Sequence, residues 1–232
     1  MTRPSANTCC PGNSASCPQL EDGTKCESDL PATAPAQQQL ECDSHSLILV
    51  QKNDTIRTKG LARHNFGPAS SRDCIVFTSE RPGNPACKMN PISVEATQPW
   101  IEFMLRKGIT NVLVLLDPWE LETYTEMSLE NIYKQAEIKC FFEPMKEEGA
   151  CDRIFQILYD AEQRGEKIVA HCTGGCGRSG RIAAGWIIYR YGVSVEEATD
   201  EVVRCAIRNS VCRKGNCYML AEWLNAPHLN CC

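Results

Sequence analysis

The segment Lys167-Ile168-Val169-Ala170-His171-Cys172-Thr173-Gly174-Gly175-Cys176-Gly177-Arg178-Ser179-Gly180 sets a strand, a loop and a helix in a row. Lys167 to Ala170 reads as a short buried strand, and the apolar run Ile182 to Ile188 reads as a buried helix. Between them a glycine-rich loop carries Cys172 at one end and Arg178 at the other, with five residues separating them. A loop in that position turns successive backbone N–H groups inward and lies at the positive end of the helix dipole, so it is built for an anion such as phosphate. The same field favours a thiolate. Cysteines at helix N-termini or beside cations have pKa values lowered from about 8.5 to roughly 3.5–7.5, which makes Cys172 a candidate nucleophile at neutral pH. Arg178 offers a planar fork for two phosphoryl oxygens.

His-Cys, five residues, Arg-Ser-Gly resembles the signature loop of the cysteine-dependent protein tyrosine phosphatase superfamily, in its dual-specificity-phosphatase-like form. The resemblance implies an α/β fold: a central, mostly parallel sheet flanked by helices, with the signature loop between a strand and a buried helix. It also implies hydrolysis of a phosphoric monoester through a cysteinyl-phosphate intermediate, with no metal and no cofactor. In that scheme Cys172 attacks phosphorus, Arg178 and the loop residues Thr173, Gly174, Gly175, Cys176 and Gly177 hold the substrate oxygens, Ser179 assists departure of the thiolate, and His171 orients the loop. The plain alternative is a buried structural cysteine beside a tight turn.

Outward from the loop, Ile154, Ile157, Leu158 and Ala161 fall at helical spacing between Asp152 and Arg164, and Gly165 stops that helix. Strand, helix, strand, loop and helix in this order predict a right-handed parallel crossover, with the ligand site at the carboxyl ends of the strands. Ile109 to Leu116 reads as a buried parallel-type strand, preceded by a helix over about 98–107 with Pro99 at its first position. Asp117 reads as a strand-end turn or helix N-cap, followed by a helical segment near 121–134 and a strand from Glu137 to Phe142. Ser194-Val195-Glu196-Glu197 has the form of a capping box opening a helix to about Arg208, and Tyr218 to Leu224 a last helix with Leu220 and Trp223 on the core. Ser46–Val50 and Asp73–Phe77 are further candidate strands, with a turn at Arg81-Pro82-Gly83-Asn84-Pro85. Residues 1–45 lack aromatics and hold five prolines, which predicts a disordered tail. Residues 46–226 form the predicted catalytic domain, and 227–232 a C-terminal tail.

Chemistry on a phosphoester needs a second group, because the leaving oxygen must be protonated and a water later activated. Relatives carry this acid as aspartate in a Pro-aliphatic-x-Asp-x-Gly setting. Matching Pro144, Met145 and Gly149 to it puts Glu147 in the acid position, with Asp152 and then Glu148 as alternatives. Asp117-Pro118-Trp119-Glu120 reverses the order of the superfamily's acid loop and lies 55 residues before Cys172, so Asp117 is not assigned that role. Asn216 is the nearest counterpart of the glutamine that positions water in relatives.

A net charge of −5 lacks the basic footprint of a nucleic-acid binder. Arg181, Arg190, Arg204, Arg208 and Arg213 follow the loop, either as a field that draws in phosphorylated substrate or as solvated helix faces. The loop interior holds no Lys or Arg, which points to phosphorylated protein, on phosphotyrosine and also phosphoserine or phosphothreonine, or to a small phosphoester. The chain opens without a signal peptide and has no run long enough to span a bilayer. The expectation is a cytoplasmic protein, with the nucleus also open, whose 16 cysteines are mostly thiols. Cys9, Cys10, Cys17, Cys26 and Cys42 lack the paired spacing of a zinc site. Membrane attachment is expected only if Cys231 and Cys232 are lipidated. Cys176 reads as a small apolar loop residue, or as a trap, with Cys140 and Cys151, for oxidised Cys172. Two other classes stand beside the phosphatase: a phosphate-binding pseudophosphatase scaffold, and a sulfur-transfer or arsenate-reducing enzyme.

Overall fold

Every residue from Ile168 to Cys172 is buried, as a strand covered on both faces requires. The computed structural model of the chain describes residues 61–84 and 90–224. After a 3-10 turn at Arg63–Asn65, the elements are β1 Gly67–Pro68, β2 Val76–Glu80, α1 Val94–Arg106, β3 Ile109–Val114, α2 Pro118–Leu121, α3 Leu129–Gln135, β4 Lys139–Phe142, α4 Ala150–Arg164, β5 Lys167–Cys172, α5 Gly177–Tyr191, α6 Val195–Arg208 and α7 Cys217–Trp223. The strands pair in the order β1-β2-β5-β3-β4. Only β1 runs antiparallel to its neighbour; β2, β5, β3 and β4 are parallel. The predicted α/β class and mostly parallel sheet are what the chain adopts.

Side chains alternate along a strand, and the two cores show it. Ile168, Ala170, Cys172, Leu113 and Leu115 pack under Ile154, Leu158, Ile182 and Trp186 of α4 and α5. Val169, Val112 and Val114 face the other way, onto Trp100 and Met104 of α1 and Tyr133 of α3. Gly185 lets α5 be approached closely: a Cβ there would stand 2.6 Å from Phe155 Cζ and 3.1 Å from Trp223 Cζ3. Leu220 is buried and Trp223 packs on the same core.

Several boundaries shift, each for a local reason. The α1 helix starts at Val94 rather than near 98, because the Ser93 side chain caps it by accepting from the Ala96 amide. Pro99 therefore lies inside the helix and removes one backbone bond there. The strand expected at Asp73–Phe77 is Val76–Glu80, since Asp73 instead accepts from Trp186 Nε1 at 2.9 Å. The segment near 121–134 is two short helices, the second capped by Ser128. Glu137 has φ +56°, so β4 begins only at Lys139. Ser194 caps α6 by accepting from the Glu197 amide, without the return bond from Glu197 that would complete a capping box, and the stop at Gly165 forms as read. The tail 1–45, the strand Ser46–Val50, the end of the predicted domain and the tail 227–232 with Cys231 and Cys232 lie outside the described residues. Among the described residues no helix is long and apolar enough to cross a membrane.

Candidate active site

Cys172 is the last residue of β5, paired in register with Glu80 of β2, while His171 before it pairs with Val114 of β3. The loop that follows is held from outside by its carbonyls. Thr173 O accepts from the Arg81 amide at 3.4 Å and Cys176 O from the Lys214 amide at 3.2 Å. Gly174 O accepts from Asn65 Nδ2 at 2.9 Å and Gly175 O from Arg213 Nη1 at 2.7 Å. In a trans peptide the N–H points opposite to the C=O. Four carbonyls drawn outward therefore turn the amides of Gly174, Gly175, Cys176 and Gly177 into the loop, at the N-terminus of the 15-residue helix α5. That is an anion cradle. Gly175 has φ +70°, and a Cβ there would lie 2.7 Å from both Ser79 C and Glu80 N, so the loop closes only around glycine.

Arg213 ties this arrangement together. Its buried guanidinium donates to Thr78 Oγ1, Thr78 O, Asn65 O, Cys212 O and Gly175 O at 2.6–2.9 Å. Asn65 in turn accepts from the Cys212 amide at 2.7 Å. Neither residue carries a sequence signal for this role. Ser179 Oγ lies 3.2 Å from both Cys172 Sγ and Ser79 O, so its one proton is shared between sulfur and carbonyl.

Arg178 does not aim its fork into open space. Nη1 and Nη2 donate to the two carboxylate oxygens of Glu120 at 2.6 and 2.7 Å, and further to Leu115 O and Thr173 Oγ1 at 2.7 and 2.8 Å. Four of the five N–H donors are engaged, leaving Nε–H, which corrects the expectation of a fork presented wholly to a phosphoryl group. Glu120 is 2% exposed and also accepts from the Thr173 hydroxyl and the Asp117 amide. Burial works to raise its pKa, but hydrogen bonds from Arg178 and Thr173 prevail and hold it at about 2. Asp117 is the N-cap of α2, as read, and the residue that matters in that segment is Glu120, three positions on. The pattern Asp then Glu at N3, which turns the Glu back toward the helix start, was its available signal.

His171 lies on the sheet face opposite Cys172. Its Nε2 is 2.7 Å from Tyr133 OH and its ring packs edge-on against Trp100. It makes no side-chain bond to the loop, so its predicted orienting role is replaced by one beneath the strand. Burial first, then the charges of Arg178 and Arg81, push its pKa down to about 3. His171 is therefore neutral when folded and takes a proton near pH 6.5 when unfolded. Stability is unaffected above pH 6.5 and falls as pH drops below it, by roughly 1.4 kcal/mol per unit, until the folded pKa is reached. Urea unfolding between pH 6 and 4 should show a slope one proton steeper in the wild type than in His171→Gln; equal slopes would contradict this.

The candidate acids lie between β4 and the first turn of α4. Glu147 is exposed and accepts from Arg153 Nη2 at 3.3 Å, Glu148 offers only its carbonyl to the same arginine, and Asp152 lies exposed in the first turn of α4. Asn216 is the N-cap of α7, its side-chain carbonyl accepting from the Met219 amide at 2.9 Å. The basic residues divide. Arg190 pairs with Glu162, Arg204 with Glu201, and Arg213 is buried, so these form no open field.

Cys176 is not a lone small apolar residue. It is disulfide-bonded to Cys212, with Cα atoms 5.2 Å apart, because Asn65 and Arg213 bring the two loops together. Cys140 packs on the opposite sheet face from Cys172, and burial, then Asp152, raises Cys151 to about 11. Cys74, Cys140, Cys151, Cys172, Cys205 and Cys217 are free thiols. No group of three or more potential metal ligands occurs among the described residues.

Comparison with known proteins places this geometry. The family model described as Cyclin-dependent kinase inhibitor 3 (CDKN3) matches residues 61–199. Cyclin-dependent kinase inhibitor 3 of Sus scrofa is 31% identical over 124 residues, and that of Rattus norvegicus 28%. Each alignment covers 51% of this chain and 58% of the relative, so the chain spans little more than half the length of the curated relatives it matches. Among solved structures, a kinase-associated phosphatase with its catalytic-site cysteine replaced by serine shares the fold at TM-score 0.55. That comparison has 22% identity and covers 71% of this chain and 96% of the other. With its family model matched across the sheet, the signature loop and α5, the chain belongs to the Cyclin-dependent kinase inhibitor 3 (CDKN3) family.

Proposed function

We propose that this chain is a dual-specificity-type phosphatase, hydrolysing phosphoric monoesters on a phosphorylated protein, or on a small phosphoester, through Cys172. The observation that carries the reading is the loop held by its outward carbonyls around an inward ring of amides, with Cys172 Sγ beside Ser179 at the end of β5. A phosphoryl dianion bound there meets the amides, the helix dipole and the Nε–H of Arg178. The Cys172 thiolate attacks phosphorus, the P–O bond to the leaving group breaks, and a carboxylic acid gives that oxygen a proton. A water deprotonated by the resulting carboxylate then displaces the thiolate, releasing phosphate, while the Ser179 hydroxyl stabilises the departing sulfur. Glu147 is the proposed acid. The kinase-associated phosphatase that shares the fold has a catalytic-site cysteine, which supports this assignment of Cys172. A thiolate nucleophile must stay reduced, which favours work in the cytoplasm. A phosphate-binding scaffold is the second reading, favoured by the engagement of Glu147 with Arg153.

The pH profile of aryl phosphate hydrolysis separates them. Glu147→Gln should lower kcat by about 10²-fold and remove the alkaline limb that reports the protonated acid. Asp152→Asn and Asp117→Asn should leave that limb in place; Asp117 is the sharper control, since its charge reaches Arg178. Loss of the limb in either control would reassign the acid, and phosphate binding without turnover would leave a scaffold.

A further inference from the structure

Sharing Gly177 with the signature loop, a cleft of about 540 Å³ opens between α5, α6, the Lys214-Gly215-Asn216 turn and α7. Its floor is nearly bare helix, because Gly177, Gly180 and Ala184 fall on one face of α5. The turn packs directly on that floor: a Cβ at Gly180 would stand 2.9 Å from the Lys214 carbonyl oxygen. Val202, Met219 and Leu220 give it apolar walls. A pocket of this size, mostly apolar with a few placed polar groups, has the makeup of a ligand site.

Beside Thr199 and Asn216, its polar lining includes two cations. Arg181 and Lys214 line the cleft, and neither makes an ion pair among the described residues. Among the described residues, the Arg181 guanidinium makes one side-chain hydrogen bond, from Nη2 to the Met219 sulfur at 4.0 Å. This sets it apart from Arg106, Arg153, Arg164, Arg190 and Arg204, each of which has a glutamate partner. Burial, first, and the neighbouring charge of Arg178 work against the Arg181 guanidinium and lower its pKa, with Glu222 and Cys172 offsetting them in part. An anion arriving in the cleft would relieve that cost.

We propose that this cleft is a subsite for the acidic flank of a phosphorylated protein substrate. A carboxylate near the phosphorylated residue seats against Arg181 and Lys214, and an apolar neighbour covers Val202, Met219 and Leu220. Spacing follows from geometry. Arg181 lies three residues beyond Arg178, about 4.5 Å along the helix, and an extended substrate advances ~3.3 Å per residue. The carboxylate therefore belongs one to three residues from the phosphorylated position. The apolar walls favour a peptide over a headgroup carrying several phosphates. This inference rests on the phosphatase reading above and names its substrate class.

The test is steady-state hydrolysis, by the full chain, of two phosphopeptides identical except for Glu or Gln at the flanking positions, with an aryl phosphate alongside. The wild type should prefer the Glu peptide by about ten-fold in kcat/KM, carried mainly by KM, as a hydrogen-bonded charge is worth. Arg181→Gln should bring the ratio close to one, and Lys214→Gln should lower it partway. Equal rates on both peptides, or a ratio untouched in both variants, would overturn the subsite while leaving the phosphatase intact. Preferred hydrolysis of phosphoinositide vesicles over either peptide would also overturn it. No hydrolysis of either peptide or of the aryl phosphate would remove the phosphatase reading itself, and the subsite with it.

Discussion

Cys172→Ser should lower aryl phosphate hydrolysis by at least about 10³-fold, the scale of losing a nucleophile outright. The reason lies in what the site does not offer a hydroxyl. A serine nucleophile needs an adjacent base to take its proton. The nearest imidazole in sequence, His171, points to the other face of the sheet, bonded to Tyr133 and held neutral by burial. What the loop supplies is a field: inward amides, the N-terminus of α5 and the Ser179 hydroxyl at 3.2 Å from sulfur. Such a field suits an anionic sulfur nucleophile, which needs no base beside it. Phosphate binding should survive in Cys172→Ser, because the amides and Arg178 remain. Substantial turnover in this variant would contradict the account.

Glu120→Ala should have the second large effect, on both stability and turnover. Glu120 is 2% exposed and engages both terminal nitrogens of Arg178, whose side chain is 24% exposed. Removing one partner of a buried pair leaves the other charge uncompensated, at a cost of about 3–5 kcal/mol. It also frees Arg178 from the geometry that keeps it beside Leu115 and Thr173 at the mouth of the loop. Urea unfolding should show the stability loss, and kcat/KM should fall with it, whereas Glu120→Gln, which keeps the shape, should lose less of both. The pH dependence has a definite sign. Because the folded pKa of Glu120 is depressed to about 2, its contribution is fully present above the ordinary carboxylate value near 4.5 and is lost as pH falls toward 2. Glu120 should therefore contribute no loss of stability between pH 6 and 5. Unchanged stability and unchanged kcat/KM in Glu120→Ala would show that Arg178 is positioned by something else.

What could be read in the sequence was what is local. Strand β5, the glycine loop and α5 follow one another within a single stretch, and their periodicity and glycine content state the chemistry directly. The opposite facing of His171 and Cys172 was also implicit in strand alternation. The supports were hidden because they arrive from far along the chain. Glu120 reaches Arg178 across 58 residues, Arg213 reaches Gly175 across 38, and Asn65 reaches Gly174 across 109. Arg213 looked like one more surface cation, and only the folded sheet shows its guanidinium bound to five acceptors. The start of α1 was misplaced because the proline signal at Pro99 outweighed the serine cap at Ser93. The Cys176–Cys212 bond likewise depends on the register of two loops that share no sequence pattern.

The central claim is that a phosphoryl group passes through the sulfur of Cys172. A substrate with a good leaving group, p-nitrophenyl phosphate, needs little help from an acid to phosphorylate the cysteine, whereas hydrolysis of the intermediate still needs a base. Glu147→Gln should therefore accumulate it. Acid quench within the first turnovers, followed by peptide mass spectrometry, should find one phosphoryl group on the peptide containing Cys172, and none in the same variant carrying Cys172→Ser. A phosphoryl group on any other residue, or turnover that continues undiminished without Cys172, would contradict the mechanism.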